Sequence, residues 1–287
     1  MSEPIPKTPK TPKTPWHLLL GQLLKYTLEP VGVEVQTEVP LLVEAPKADI
    51  VILHPKGSHW RENQRRWLAD GLREAEASRL LIEFKYSESL NEDALAQLVA
   101  YDYFYRQAEK LSTTQVACFL VVAHSPRSEV LERLELQPTN RPGVYRSEDV
   151  LLKRFMVIVP NQLEPLPHNA PLKCFATRRR EQQKAFQILR DNGYFMLSTL
   201  VGWFIVGLWR MFAMSTVPQV ERVTPEVVMQ IGKEWLDALL KAMPVEERMR
   251  GLPAEERMRG ITLEERLAGI EVEQLRAYLE RLGNTMN

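Results

Sequence analysis

The period of hydrophobic and polar positions changes several times along the chain, and each change marks an element. Between Trp16 and Leu28, apolar residues stand at 18, 19, 20, 23, 24 and 28, which is one face of a helix. Pro30 and Gly32 end it. Residues 33–39 alternate strictly, predicting a strand with one polar face. Beyond Pro40 and Pro46, residues 47–53 read as a second strand with Asp49 near its start. Residues 80–86 form an apolar, β-prone run whose alternation puts Glu83 and Lys85 on one face and Ile82 and Phe84 on the other. A helix follows, to about Glu109. Asn91 suits its N-cap, Glu92 and Asp93 oppose the helix dipole, and Leu90 with Leu95 fit a hydrophobic staple. Residues 116–123 are continuously apolar, as in a buried central strand. Residues 144–146 and 155–159 are two further strands able to extend the sheet.

The second half is helical in pattern. Arg178, Arg179 and Arg180 open a helix reaching about Arg190. No charge appears from Phe195 to Leu208, and continuing through Arg210 to Met214 gives 20 residues with one charge. A bilayer span needs about 20 apolar residues. A buried helix or a partner interface is therefore preferred here to a membrane segment. Thr224-Pro225-Glu226 starts another helix, to about Ala242. A nine-residue repeat then begins, with units 243–251, 252–260, 261–269 and a degenerate 270–278. The first three end in Gly, and Thr262 with Glu265 fits a capping box. Two readings stay open: short amphipathic units stacking on one another or on a partner, and a solvated charged tail. The last unit continues as a longer helix to Leu282. The expected organisation is a Lys-Thr-Pro tail over 1–15, an α/β domain over 16–176, a helical region over 177–242 and a repeat-built tail over 243–287. The 1–15 tail reads as an extended leader or as a basic tether.

Composition narrows this little. The 287 residues are 45% hydrophobic, enough for a substantial core. With 37 basic and 37 acidic residues the chain does not coat nucleic acid by bulk charge, although a local basic cleft is compatible with neutrality. Cys118 and Cys174 are too few and too far apart for a disulfide framework, and no apolar signal-peptide core opens the chain. A reducing, cytoplasmic setting is expected.

Two opposite charges in a run as apolar as 80–86 are costly unless paired or engaged with a ligand. Asp49, Glu83 and Lys85 on neighbouring strands suit a divalent metal and a phosphate: carboxylates give hard oxygen ligands and lysine a positive charge. Gln97 and Tyr101, four apart on the following helix, share a face. The bland alternative is a paired charge at a sheet end and a core tyrosine. Residues 54–79 carry five arginines (61, 65, 66, 73, 79) with Trp60 and Trp67, either a nucleic-acid grip or a solvated insert anchored by its tryptophans. The five histidines, His17, His54, His59, His124 and His168, are scattered without zinc-ligand spacing. GxGxxG, Walker A and GxSxG patterns are absent.

The order helix, three strands, helix, strand, with Asp49 in the second strand and Glu83-Phe84-Lys85 in the third, resembles the PD-(D/E)XK nuclease superfamily. Pro46 precedes Lys47-Ala48-Asp49, so the motif's proline is displaced. Gln97-Leu98-Val99-Ala100-Tyr101 is similar to the Gln-x-x-x-Tyr element of its RecB-type branch, and the layout is similar to the recombination-promoting nuclease or putative transposase type. The resemblance covers about residues 16–125. It implies an αβββαβ restriction-endonuclease-like core with a mixed sheet, followed by a helical C-terminal extension. It implies Mg²⁺ or Mn²⁺ held by Asp49, Glu83 and the Phe84 carbonyl, with Lys85 orienting or activating the attacking water. Gln97 and Tyr101 would position the lysine or the backbone phosphate. Many such enzymes carry a further acid in the first helix. Here Trp16–Leu28 has none, leaving Gln22 within it, Glu29 at its end, and Glu34 or Glu38 on the first strand. The expected function is metal-dependent hydrolysis of nucleic-acid phosphodiesters, DNA ahead of RNA. The alternative is a catalytically inactive module of the same fold that binds nucleic acid or assembles with itself or a partner protein through 195–214 and the repeats. A membrane-associated helper anchored through 195–214 is the remaining reading.

Overall fold

In the computed structural model, residues 15–40, 47–54, 60–149, 152–213 and 223–244 are described, together with 247, 248, 250, 262, 265, 267, 268 and 270–285. The tail over 1–14 and most of the nine-residue repeats lie outside the described residues. Helix α1 (Trp16–Leu28) buries Leu19, Leu20, Leu23, Leu24 and Leu28, the stripe its spacing predicts. Strands β1 (Glu34–Pro40), β2 (Lys47–Leu53) and β3 (Arg79–Lys85) run antiparallel in succession. Between β2 and β3 lies a one-turn helix α2 (Glu62–Arg65). Helix α3 (Glu92–Glu109) then carries the chain across to β4 (Val116–Val122), which pairs parallel with β3. The Asn91 side chain accepts the Ala94 N–H at 2.8 Å, so the expected cap forms.

The sheet continues past β4. A short helix α4 (Ser128–Arg133) precedes β5 (Leu136–Pro138), β6 (Val144–Ser147) and β7 (Phe155–Ile158). The full order is β1-β2-β3-β4-β7-β6-β5, a seven-stranded mixed sheet in an α/β protein. The two extra strands fall where the pattern put them, and α4 and β5 are additions to it. Both faces of the sheet are covered. One face packs Ile50, Ile52, Leu80, Ile82 and Phe119 against α1 and the later helices; the other packs Val51, Leu81, Cys118 and Leu120 against Leu95, Leu98, Tyr101 and Tyr105 of α3.

The helices beyond 176 join this same core. A single turn α5 (Ala170–Lys173) leads to α6 (Arg179–Asp191) and α7 (Thr199–Ala213), which add Ala185, Leu189, Phe204, Ile205 and Leu208 to the α1 side. The chain divides into Met1–Leu236 and Asp237–Asn287, not after 176, because these helices bury their apolar faces on the sheet domain. The division falls within α8 (Pro225–Ala242). The uncharged run is thus largely a buried helix, and among the described residues no helix is long and apolar enough to cross a membrane. In the second unit the Thr262 and Glu265 groups bond reciprocally, Glu265 N–H to Thr262 Oγ1 at 3.2 Å and Thr262 N–H to Glu265 Oε2 at 2.9 Å. A C-terminal helix spans Val272–Thr285.

Candidate active site

The β2–β3 ladder ends at the pair Ile50↔Ile82, and one step further along that register Asp49 and Glu83 stand opposite each other. On the other side of β2, the same step in the β1 register sets Glu38 opposite Asp49. That step is missing from the β1–β2 pairing, and Glu38 there takes a left-handed backbone, φ 53. Three acidic residues thus line up across three strands where the β2–β3 ladder ends and the β1–β2 ladder is interrupted. The Phe84 N–H is satisfied by Asp49 Oδ2 at 2.8 Å, a side chain standing in for a ladder carbonyl.

Lys85 lies two residues on from Glu83. Its ammonium meets Glu83 Oε1 at 2.8 Å, Gln97 Oε1 at 2.9 Å and Glu88 Oε2 at 3.5 Å. Gln97 in turn donates through Nε2 to the Tyr101 hydroxyl. The cap at Asn91 fixes where α3 starts, and the four-residue spacing then sets Gln97 and Tyr101 on the face toward Lys85. Asp49, Glu83, Lys85, Gln97 and Tyr101, distant in sequence, thus form one connected cluster. Phe84 lines the adjoining cavity of about 190 Å³ with Trp16, His17, Asp49, Glu83 and Lys85.

His17, in the first turn of α1, was not singled out by the sequence. Its Nδ1 is 3.8 Å from Asp49 Oδ1 and its Nε2 is 3.6 Å from Glu38 Oε1. The first helix therefore contributes an imidazole to the site, and Glu38 is the further acid brought near. Glu29 and Glu34 are not: Glu34 pairs with Leu53 at the opposite end of β2, and both line a separate cavity of about 920 Å³. The first helix faces the strand-2 acid with an imidazole in its first turn, where the resemblance implies a carboxylate.

The electrostatics of the cluster are those of a site short of positive charge. Burial, then the Asp49 charge, pushes the Glu83 carboxyl up to about 7, against the opposing pull of Lys85 and His17. Burial likewise pushes Asp49 up to about 6, although the Phe84 N–H, the Lys85 charge and a hydrogen bond with Glu83 work against it. Desolvation would lower Lys85, but the hydrogen bond and charge of Glu83, with Glu88 and Asp49, outweigh it and hold the ammonium above its ordinary value. Glu83 Oε2 is buried with no hydrogen-bond partner. An orphaned carboxylate oxygen beside a second buried carboxyl is what a hard divalent cation would satisfy. Among the described residues no group of three or more His, Cys, Asp or Glu stands together in a metal-holding arrangement, so the protein ligands that fit are the two carboxylates.

The same end of the sheet carries a basic run. The Ala123 N–H bonds the Lys85 carbonyl at 3.0 Å; the Ala123 carbonyl accepts from Asn161 Nδ2 at 2.9 Å and Thr177 Oγ1 at 3.1 Å; and Asn161 Oδ1 accepts the Arg178 N–H at 2.8 Å. Arg178, Arg179 and Arg180 are exposed there, and none forms an ion pair among the described residues. The arginine-rich insert is anchored by Trp60, which is buried and donates to the Ala77 carbonyl at 2.8 Å.

No protein-family model, curated protein or solved structure matches this chain.

Proposed function

We propose that the chain is a metal-dependent nuclease of the PD-(D/E)XK type, with a restriction-endonuclease-like core, hydrolysing nucleic-acid phosphodiesters with DNA as the favoured substrate. The observation that carries the reading is the Asp49–Glu83 pair, two buried carboxyls at the point where paired strands part, with Lys85 held at their side. Asp49 and Glu83 would hold Mg²⁺ or Mn²⁺, and the Phe84 carbonyl is the further oxygen the resemblance offers. When bound, such an ion acts as a Lewis acid and lowers the pKa of its water. Magnesium keeps several water ligands, so two carboxylates suffice as protein ligands.

The remaining steps belong to the chain. Lys85 is held charged, so it serves as a fixed positive charge for the phosphate rather than as a proton acceptor. Gln97 and Tyr101 fix the ammonium through the Lys85–Gln97 bond at 2.9 Å. His17 sits against Asp49 and Glu38 and orients the first of these carboxylates. In hydrolysis the water loses one proton as its oxygen bonds to phosphorus, one P–O ester bond breaks, and the departing oxygen takes up a proton, so the atoms of one water are divided between the two products.

The alternative is an inactive module of the same fold, binding nucleic acid or assembling with partners. It is favoured by one observation: the Lys85 ammonium already meets Glu83, Gln97 and Glu88 within the protein. Cleavage of plasmid and single-stranded DNA with Mg²⁺ or Mn²⁺ separates the two. The nuclease reading expects activity in the wild type and its loss in Asp49→Ala, Glu83→Ala and Lys85→Ala with the fold intact. Equal activity in all four proteins sinks it, and DNA binding without turnover supports the module.

A further inference from the structure

A second cavity, of about 400 Å³, lies elsewhere on the sheet domain and shares no residue with the carboxylate site. Its wall is built from three separate segments: Arg66, Trp67 and Arg73 from the insert after α2, His168 from the turn before α5, and Asn192 with Tyr194 after α6. Donors dominate it. Arg66 and Arg73 bring guanidinium groups, Asn192 an amide and His168 an imidazole, and no carboxylate lines the cavity among the described residues.

The wall is held rigidly. Trp67 packs edge-on against Tyr194, ring centroids 5.2 Å apart, and the Arg66 guanidinium lies 5.3 Å over the Trp67 ring. The Tyr194 hydroxyl is fixed on the Pro167 carbonyl at 2.9 Å. His168 is held by the buried Asp70 at 3.0 Å, and Asn169 clamps the same carboxylate at 2.8 Å. Neither arginine is spent on a strong internal partner: Arg73 meets only the exposed Glu62 at 3.9 Å, and Arg66 has its ring contact alone among the described residues. The Trp67 indole N–H is buried and meets no acceptor among the described residues. Two guanidinium groups without a strong internal partner, on a wall that carries no carboxylate among the described residues, suit an anionic oxygen ligand.

We propose that this cavity binds a phosphate group, carried by a nucleotide or a nucleic-acid strand, with Arg66 and Arg73 as its principal contacts. Guanidinium forks match phosphate oxygens two at a time, and Asn192 can donate beside them. The cavity is larger than a lone phosphate needs, which leaves space for what the phosphate is attached to. The proposal does not rest on the nuclease reading, because neither Asp49, Glu83 nor a metal takes part.

Calorimetric titration of the full chain in EDTA at low salt tests it, with inorganic phosphate, adenosine monophosphate and a short single-stranded oligonucleotide as probes. Saturable binding of at least one probe is expected, weakened about tenfold or more in Arg66→Gln and in Arg73→Gln, with thermal unfolding showing both variants folded. Tighter binding of the mononucleotide than of phosphate identifies a free nucleotide as the ligand; binding of the oligonucleotide alone identifies a strand. Should Arg73→Gln fail to fold, Arg66→Gln decides, since Arg66 is exposed. No saturable binding by the wild type, or unchanged affinity in a folded Arg66→Gln, overturns the proposal. The comparison of wild type with Arg66→Gln is made in EDTA, without the metal the nuclease reading needs, so failure of that reading would leave the result standing.

Discussion

Asp49 and Glu83 are kept at a cost, and that cost is measurable without any assay of function. Unfolded, their carboxyls ionise near pH 4. Folded, burial raises Asp49 to about 6, burial with the Asp49 charge raises Glu83 to about 7, and the two titrate as a pair. Between pH 4 and 7 the folded chain therefore holds more protons than the unfolded one. Rising pH removes stability across that window, and the full penalty stands above it. Asp49→Asn keeps an acceptor for the Phe84 N–H and removes one of the two charges. In EDTA at pH 8 it is expected to unfold at a higher temperature than the wild type, by on the order of 1 kcal/mol, with a flatter pH curve. Added Mg²⁺ should raise the wild-type midpoint and leave the variant unmoved. Identical pH curves for the two proteins would show that the carboxyl pair is not the source. Five of the site's residues were legible in the sequence because each is an anomaly in its element: charges in an apolar strand, or polar groups at helical spacing. His17 and Glu38 were not, because one sits on an ordinary amphipathic helix and the other on an alternating strand. Only the register and the approach of α1 bring them to Asp49.

Elements with strong periods could be read almost to the residue: α1, β2, β3, α3 and β4 each carry an unbroken pattern and a clear stop. Asn91→Ala should cost about 1 kcal/mol in urea unfolding by removing the cap of α3. By contrast, β5 is three residues long and exists through its pairing with β6, so no local period announces it. The union of α6 and α7 with the sheet was equally hidden, since an apolar stripe says that a face is buried and not against what. The crossing of α7 and α8 shows what sets it. A side-chain carbon at Gly207 would run into the Val228 carbonyl, and one at Gly232 into the Trp203 carbonyl. The two backbones meet at glycine, where no rotamer can give way. Gly207→Ala and Gly232→Ala are each expected to destabilise the chain by about 1–3 kcal/mol or more, read from denaturant midpoints. A change below about 0.5 kcal/mol, the size of an ordinary surface substitution, would show that the helices do not approach so closely.

Taken whole, the chain is electrically neutral, and its basic groups are distributed so that one exposed run forms no ion pair among the described residues. The bonds from Lys85 through Ala123 and Asn161 to Arg178 tie that run to the end of the sheet that holds the carboxylate pair. A substrate with a phosphate backbone would have to pass an acidic centre, and Asp49, Glu83 and Glu88 together would repel it. Arg178, Arg179 and Arg180 offset that repulsion for a strand lying across the same end, while the metal would offset it at the centre. Each phosphate neutralised releases counterions, so the contribution of the run appears in the salt dependence of binding rather than in sequence preference. Replacing all three arginines by glutamine is expected to weaken DNA binding in EDTA about tenfold or more and to flatten the log–log salt slope by up to about 3. The effect should be the same on unrelated sequences, because a phosphate contact positions and does not specify. The three residues are exposed at the start of α6, and the Arg178 N–H keeps its bond to Asn161 in the variant, so the thermal midpoint should hardly move. An unchanged salt slope in a folded variant would mean that the strand reaches Lys85 from another side. Substrate binding would then have to come from the insert, where Arg65 and Arg73 are partly engaged with backbone carbonyls and Glu62.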